Sequence, residues 1–163
     1  MRSSFVVIAL ALSLGACGKE IGDECISDID CDPNGQRFCD ASQRPGGYCT
    51  IRGCDFNTCP EDSACIRFFT GGFDNRPCDH LTEDQSTDDC NLDELCSLND
   101  LCVPRSSESR FCMATCGGDE DCRDGYECRD LDLMRQNGGE PVLETGPIKD
   151  NDGTKFCAVK PGI

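Results

Sequence analysis

The chain has 163 residues, with 15 lysines and arginines against 31 aspartates and glutamates, 17 cysteines, one histidine and no tryptophan. A net charge of −16 excludes the basic footprint that holds nucleic acid. Beyond residue 16, leucine, isoleucine, valine and phenylalanine make up 25 of 147 residues, below the roughly 20% at which a highly charged chain stays unfolded. Hydrophobic burial alone does not fold such a chain. Cysteine, at 17 of those 147 residues, exceeds the roughly 8–10% that marks a disulfide scaffold. The expected class is therefore a small disulfide-rich exported protein, with short hairpins, single-turn helices and little other regular structure.

Chain order begins with Arg2 and an apolar run over residues 5–14 broken only by Ser13, too short for the ~20 residues of a bilayer span and right for a signal-peptide core. It ends in Leu14-Gly15-Ala16-Cys17, which resembles the bacterial lipobox. That resemblance implies removal of residues 1–16, a diacylglyceryl group on the Cys17 sulfur and acylation of its amine. Several acyl chains anchor firmly, since each buried CH₂ contributes ~0.8 kcal/mol. Residues 17–24 then form a lipidated tether, and Gly18 at the following position implies an outer-membrane location in the bacterial envelope. Parity agrees, because setting Cys17 aside leaves sixteen cysteines, an even number for pairing. The same small residues also suit an ordinary signal peptide, which leaves Cys17 a spare thiol.

The sixteen divide into Cys25, Cys31, Cys39, Cys49, Cys54, Cys59, Cys65 and Cys78, and Cys90, Cys96, Cys102, Cys112, Cys116, Cys122, Cys128 and Cys157. Their spacings match closely except at the last interval, and Cys59-Pro60-Glu61-Asp62-Ser63-Ala64-Cys65 aligns with Cys122-Arg123-Asp124-Gly125-Tyr126-Glu127-Cys128. Two tandem eight-cysteine modules are expected, over residues 25–78 and 90–163, each closing its own four bridges, with an acidic linker at 79–89. Eight cysteines allow 105 pairings, so the connectivity stays open. The opening Cys25-Ile26-Ser27-Asp28-Ile29-Asp30-Cys31, followed by Cys39, and the run from Cys90 through Cys96 to Cys102 resemble the start of the Dickkopf N-terminal type of cysteine-rich module. The adjacent cysteine pair of that type is missing from both halves. An EGF-like architecture accounts for the same cysteine density with a different pairing.

Local signals are brief. Ser27 and Asp30 have the spacing of a capping box, predicting one helical turn before Cys31. Asn57 and Thr58 ahead of Pro60 predict a second capped turn. Residues 66–70 and 73–75 flank Gly71-Gly72, which predicts a tight hairpin. The interval between Cys128 and Cys157 holds Gly138, Gly139, Pro141 and Pro147 and predicts a longer hairpin or excursion.

Candidate chemistry is sparse. Asp30, Asp32, Asn34 and Gly35 copy the first half of a calcium loop, but Ala41 stands where the closing glutamate belongs; weak cation association with the acidic surface, including Asp119, Asp121, Asp124, Asp150 and Asp152, is the expectation. No Cys-x-x-Cys is present, so zinc, haem and thioredoxin chemistry have no signature. His80 is expected as a solvated residue of the linker. No nucleophile, metalloprotease or phosphate-loop motif occurs, and neither catalysis nor a cofactor is expected. Two recognition surfaces are: Phe68, Phe69 and Phe73 at a hairpin tip beside Arg67 or Arg76, and the excursion carrying Leu131, Leu133, Met134, Val142 and Leu143. The blander alternative for both is that these side chains close a small interior. The overall expectation is a non-enzymatic, membrane-anchored envelope protein that binds a protein or glycan partner, with a passive coat or a calcium-dependent adhesin as alternatives.

Overall fold

A computed structural model of the chain describes residues 18–82, 89–143 and 153–162. Cys17, the signal segment, residues 83–88 of the linker and the Asp150 and Asp152 pair lie outside the described residues. The protein is a small disulfide-rich fold of short antiparallel strands, in which all sixteen cysteines from Cys25 onward are joined in eight bridges.

The first helix is the predicted single turn, α1 (Asp28–Cys31). Asp30 Oδ2 accepts from the amides of Ile26 and Ser27, each at 2.9 Å, satisfying donors that a helix start leaves unpaired. Strands β1 (Phe38–Asp40) and β2 (Tyr48–Thr50) form a hairpin beside it. The long strand β3 (Ser63–Phe69) follows, then the small hairpin β4 (Glu94–Cys96) and β5 (Cys102–Pro104). Next comes β6 (Glu108–Ala114), which pairs with β3 along its whole length. The chain ends in β7 (Tyr126–Arg129), helix α2 (Leu131–Asn137), β8 (Glu140–Pro141) on the free edge of β3, and β9 (Phe156–Val159), the partner of β7.

The bridges follow one rule applied four times. Cys25–Cys39 and Cys31–Cys49 close a first unit, Cys54–Cys65 and Cys59–Cys112 a second, Cys78–Cys96 and Cys90–Cys102 a third, and Cys116–Cys128 and Cys122–Cys157 a fourth. In every unit the first cysteine joins the third and the second joins the fourth. The third and fourth always face each other across an antiparallel pair: Cys39 and Cys49, Cys65 and Cys112, Cys96 and Cys102, Cys128 and Cys157. Directly opposed residues project to the same face of a sheet, so two parallel bridges pin the preceding loop onto that face.

This arrangement corrects the expectation of two self-contained modules. The third unit lies inside the interval between Cys65 and Cys112, both from the second, so Cys59–Cys112 and Cys78–Cys96 each cross the expected boundary at residues 79–89. The alignment of halves is in step from Cys49 to Cys65 against Cys112 to Cys128 and one cysteine out of step before that. The slip arises because the third unit is inserted before Cys112, the last cysteine of the second, which displaces the four-cysteine repeat by one position.

Two further expectations change. Residues 57–62 form turns rather than a capped helix: Asn57 and Asp62 adopt left-handed φ of 55° and 60°, and Ser63 N donates to Pro60 O at 3.2 Å. Asp62 is the counterpart of Gly125 (φ 85°) in the fourth unit, where Tyr126 N donates to Arg123 O at 3.0 Å. The hairpin across Gly71-Gly72 is not formed either, because β3 takes β6 and β8 as partners and residues 73–75 are not a strand. A seven-residue pairing offers more ladder bonds than the three residues after the glycines could.

One apolar core joins the units. It contains Tyr48, Ile66, Met113, Tyr126, Met134 and Phe156. The first and third units have only clusters of half-cystines of their own, which is why cross-links are needed there. Gly47 shows how tightly those bridges pack, since a Cβ on it would sit 2.4 Å from Cys39 Sγ and 2.6 Å from Cys25 O. Among the described residues no helix is long and apolar enough to cross a membrane.

Candidate functional site

The predicted aromatic tip is dispersed. Phe68 turns inward and meets Phe111 and Phe156 with ring centroids 6.2 and 6.1 Å apart. Phe69 stays half-buried under the Arg67 guanidinium, 5.7 Å from its ring centre. Arg67 Nε donates at 2.6 Å to Oε1 of Glu140, which is 3% exposed. Glu140 Oε2 accepts from Leu98 N, also at 2.6 Å, so this one carboxylate ties β3 and β8 to the third unit. Burial pushes the Glu140 carboxyl above its ordinary range, with Arg67 and the Leu98 amide opposing. Arg76 pairs with Glu94. Both arginines offered for recognition are thus engaged in structure.

The excursion after Cys128 also turns inward. Met134 and Val142 are buried, with Leu131 and Leu143 packed against the main core. Asp130 Oδ1 caps α2 by accepting from Leu133 N at 3.1 Å. At the other end Arg129 Nη1 donates to the carbonyls of Asn137 and Gly138 at 2.9 and 3.0 Å, where the helix dipole favours a cation.

The half calcium loop holds its own backbone. Asp32 accepts from the amides of Asn34 and Gln36 at 2.8 and 3.0 Å, and Asp30 from those of Ile26 and Ser27. These hydrogen bonds hold both carboxyls below the ordinary 3.8. The fourth unit repeats the device: Asp119 accepts from Cys128 N at 2.8 Å as Asp28 does from Cys39 N, also at 2.8 Å, and Asp121 accepts from Gly117 N at 2.8 Å. The acid three residues after the first cysteine therefore pins the loop to its hairpin, and the acid five residues after it caps the start of the loop's own turn; Asp124 is exposed. The sulfur triads such as Cys25, Cys31 and Cys49, mutually within 4.8 Å, are neighbouring disulfides. His80 is corrected from solvated to buried at 7% exposure, with Nδ1 hydrogen-bonded to Asp100.

Sequence reasoning missed the concave features. A groove of about 330 Å³ opens beside the β1–β2 hairpin, lined by apolar Phe68, Phe111, Met113 and Val159 and by polar Asp40, Ser42, Gln43, Thr70 and Ser109. Ser109, Phe111 and Met113 alternate along β6 and so share a face. The volume falls in the range of small-ligand sites, and an apolar lining with a few polar groups is their usual chemistry. The Asp40 carboxylate is held by Ser42 Oγ at 2.6 Å and Gln43 Nε2 at 3.2 Å. The groove's walls come from the first, second and fourth units, which the bridges hold in place. Close to it, Arg52 lies over Phe38 and Phe111, 4.9 and 5.6 Å from the ring centres.

No protein-family model matches the chain, nor does any curated protein or solved structure.

Proposed function

We propose that this protein is a non-enzymatic binding protein of the bacterial envelope, anchored in a membrane through lipid on Cys17 and taking a protein or glycan partner in the groove beside the β1–β2 hairpin. The observation that carries the binding role is the groove itself, whose walls belong to three cross-linked units. Preorganised walls lower the ordering cost of association. The anchor rests on the lipobox resemblance and on cysteine parity, and the outer-membrane location on Gly18. Eight bridges are compatible with an oxidising compartment outside the cytosol.

Intact-mass spectrometry of the membrane fraction tests the anchor. The expected species begins at lipid-modified Cys17 and exposes sixteen alkylatable thiols only on reduction; an unlipidated secreted form overturns the anchor. For the groove, Thr70→Arg and Ser109→Arg fill it from the rim. Loss of an envelope phenotype in these variants is expected, and retention of the deletion strain's full complementation by both refutes the binding role.

A further inference from the structure

In a chain with twice as many acids as bases, one cleft gathers arginines. Arg52, Arg105 and Arg110, with Gly53, Glu108 and Ser109, line a second concavity of about 330 Å³. Arg110 is matched locally: Nε donates to Glu108 Oε1 at 2.5 Å and Nη1 to Asp55 Oδ1 at 3.0 Å. Arg52 and Arg105 are exposed, and among the described residues neither forms a salt bridge with a carboxylate. Arg52 is nevertheless positioned, because its guanidinium rests on the Phe38 and Phe111 rings. Stacking of this kind fixes a planar fork ahead of binding, which suits bidentate capture of an oxyanion. A side chain at Gly53 would meet nothing within 4 Å, so the space over the backbone there is open.

We propose that this cleft binds a single oxyanionic group, the phosphate or carboxylate of an envelope glycan. The inference deepens the binding role proposed above: the cleft's affinity for an oxyanion stands on its own residues, and the envelope source of the ligand rests on the anchor. A polyanion is disfavoured by the overall charge of −16. A lone oxyanion within the roughly 8 Å over which charges act at physiological salt meets three guanidiniums against the Glu108 and Asp55 carboxylates, both already bound to Arg110, so Arg52 and Arg105 carry the attraction.

The test uses the full lipidated chain in neutral detergent, titrated separately with inorganic phosphate and with glucuronate while amide resonances are followed. Expected are saturable shifts confined to residues 52–53 and 105–110. Arg105→Gln and Arg52→Lys, the second keeping the charge but losing the stacked fork, each weaken binding about 10- to 100-fold. Arg44→Gln, which makes the same charge change as Arg105→Gln at an exposed residue outside the cleft, leaves it unaltered. Saturation by one probe or by both supports the proposal and tells which oxyanion is preferred. Unsaturable shifts spread over the surface, or equal weakening by Arg44→Gln, overturn it. A chain that binds neither probe yet loses its envelope phenotype with Thr70→Arg, a groove residue outside the cleft, rejects the anion site and keeps the groove.

Discussion

Replacing Cys59 and Cys112 by alanine removes the bridge that closes the longest span, 53 residues. Cross-linking restricts the unfolded chain, and a span of that size contributes about 4 kcal/mol by loop-closure entropy. The third unit shortens it, since Cys78–Cys96 cuts out 18 residues of separation; the logarithmic dependence on length leaves about 4 kcal/mol even so. The same substitution at Cys90 and Cys102, separated by 12 residues, removes about 3 kcal/mol. Guanidinium unfolding without reductant measures both. The probe is built in, because the chain lacks tryptophan and its two tyrosines stack at 5.6 Å between the first and fourth units. Tyr48 is also fixed by Ala114 N, which donates to its hydroxyl at 2.9 Å. One tyrosine transition coincident with loss of far-ultraviolet signal is expected, shifted to lower denaturant in the Cys59→Ala, Cys112→Ala protein. A loss below about 1 kcal/mol, or two separable transitions in the wild type, refutes the reasoning that this bridge joins the halves.

Three other predictions follow from the same contacts. A protease site placed within residues 83–88 and cut leaves the two fragments covalently joined under non-reducing conditions, because two bridges span it; fragments that separate before reduction contradict the pairing. Glu140→Gln leaves one of the two donors that this carboxylate satisfies, Arg67 Nε or Leu98 N, facing an amide NH₂ and lowers stability by about 1–3 kcal/mol, read as a shift in denaturation midpoint, and an unchanged midpoint refutes the role given to that carboxylate. Asp30, Asp32 and Glu94 have carboxyls depressed by amide hydrogen bonds from Ile26, Asn34 and Asn91 respectively, so their contribution is complete above their ordinary values of 3.8 and 4.5 and is lost as pH falls through the depressed ones. The contribution of these three groups is therefore flat down to that range and then declines, so the acid limb of stability against pH is shallower in Asp30→Asn than in the wild type; an identical acid limb in that variant removes the assignment.

The cysteine content disclosed the class of fold because it is a matter of composition, and the Ser27 to Asp30 turn was legible because capping is local. Connectivity was not legible. A bridge depends on which strands pair, and β3 finds β6 across 38 intervening residues that include the whole third unit. Phe68 and Phe69 could be recognised as important but not oriented, since alternation assigns faces only after the sheet partner is known. His80 read as linker because its neighbours are acidic, yet Asp100 draws it into the interior. The groove and the arginine cleft draw on residues from separate units, and no window of sequence contains either.

The pairing rule also bears on how the chain acquires its covalent state. Synthesis delivers cysteines in numerical order, and a catalyst that oxidises each newly emerged pair joins neighbours. None of the eight native bridges joins neighbours in the sequence, so sequential oxidation alone yields a fully scrambled product. The second cysteine of the second unit, Cys59, waits for Cys112 while five other cysteines pass. Maturation of this protein is accordingly a problem of thiol exchange more than of oxidation.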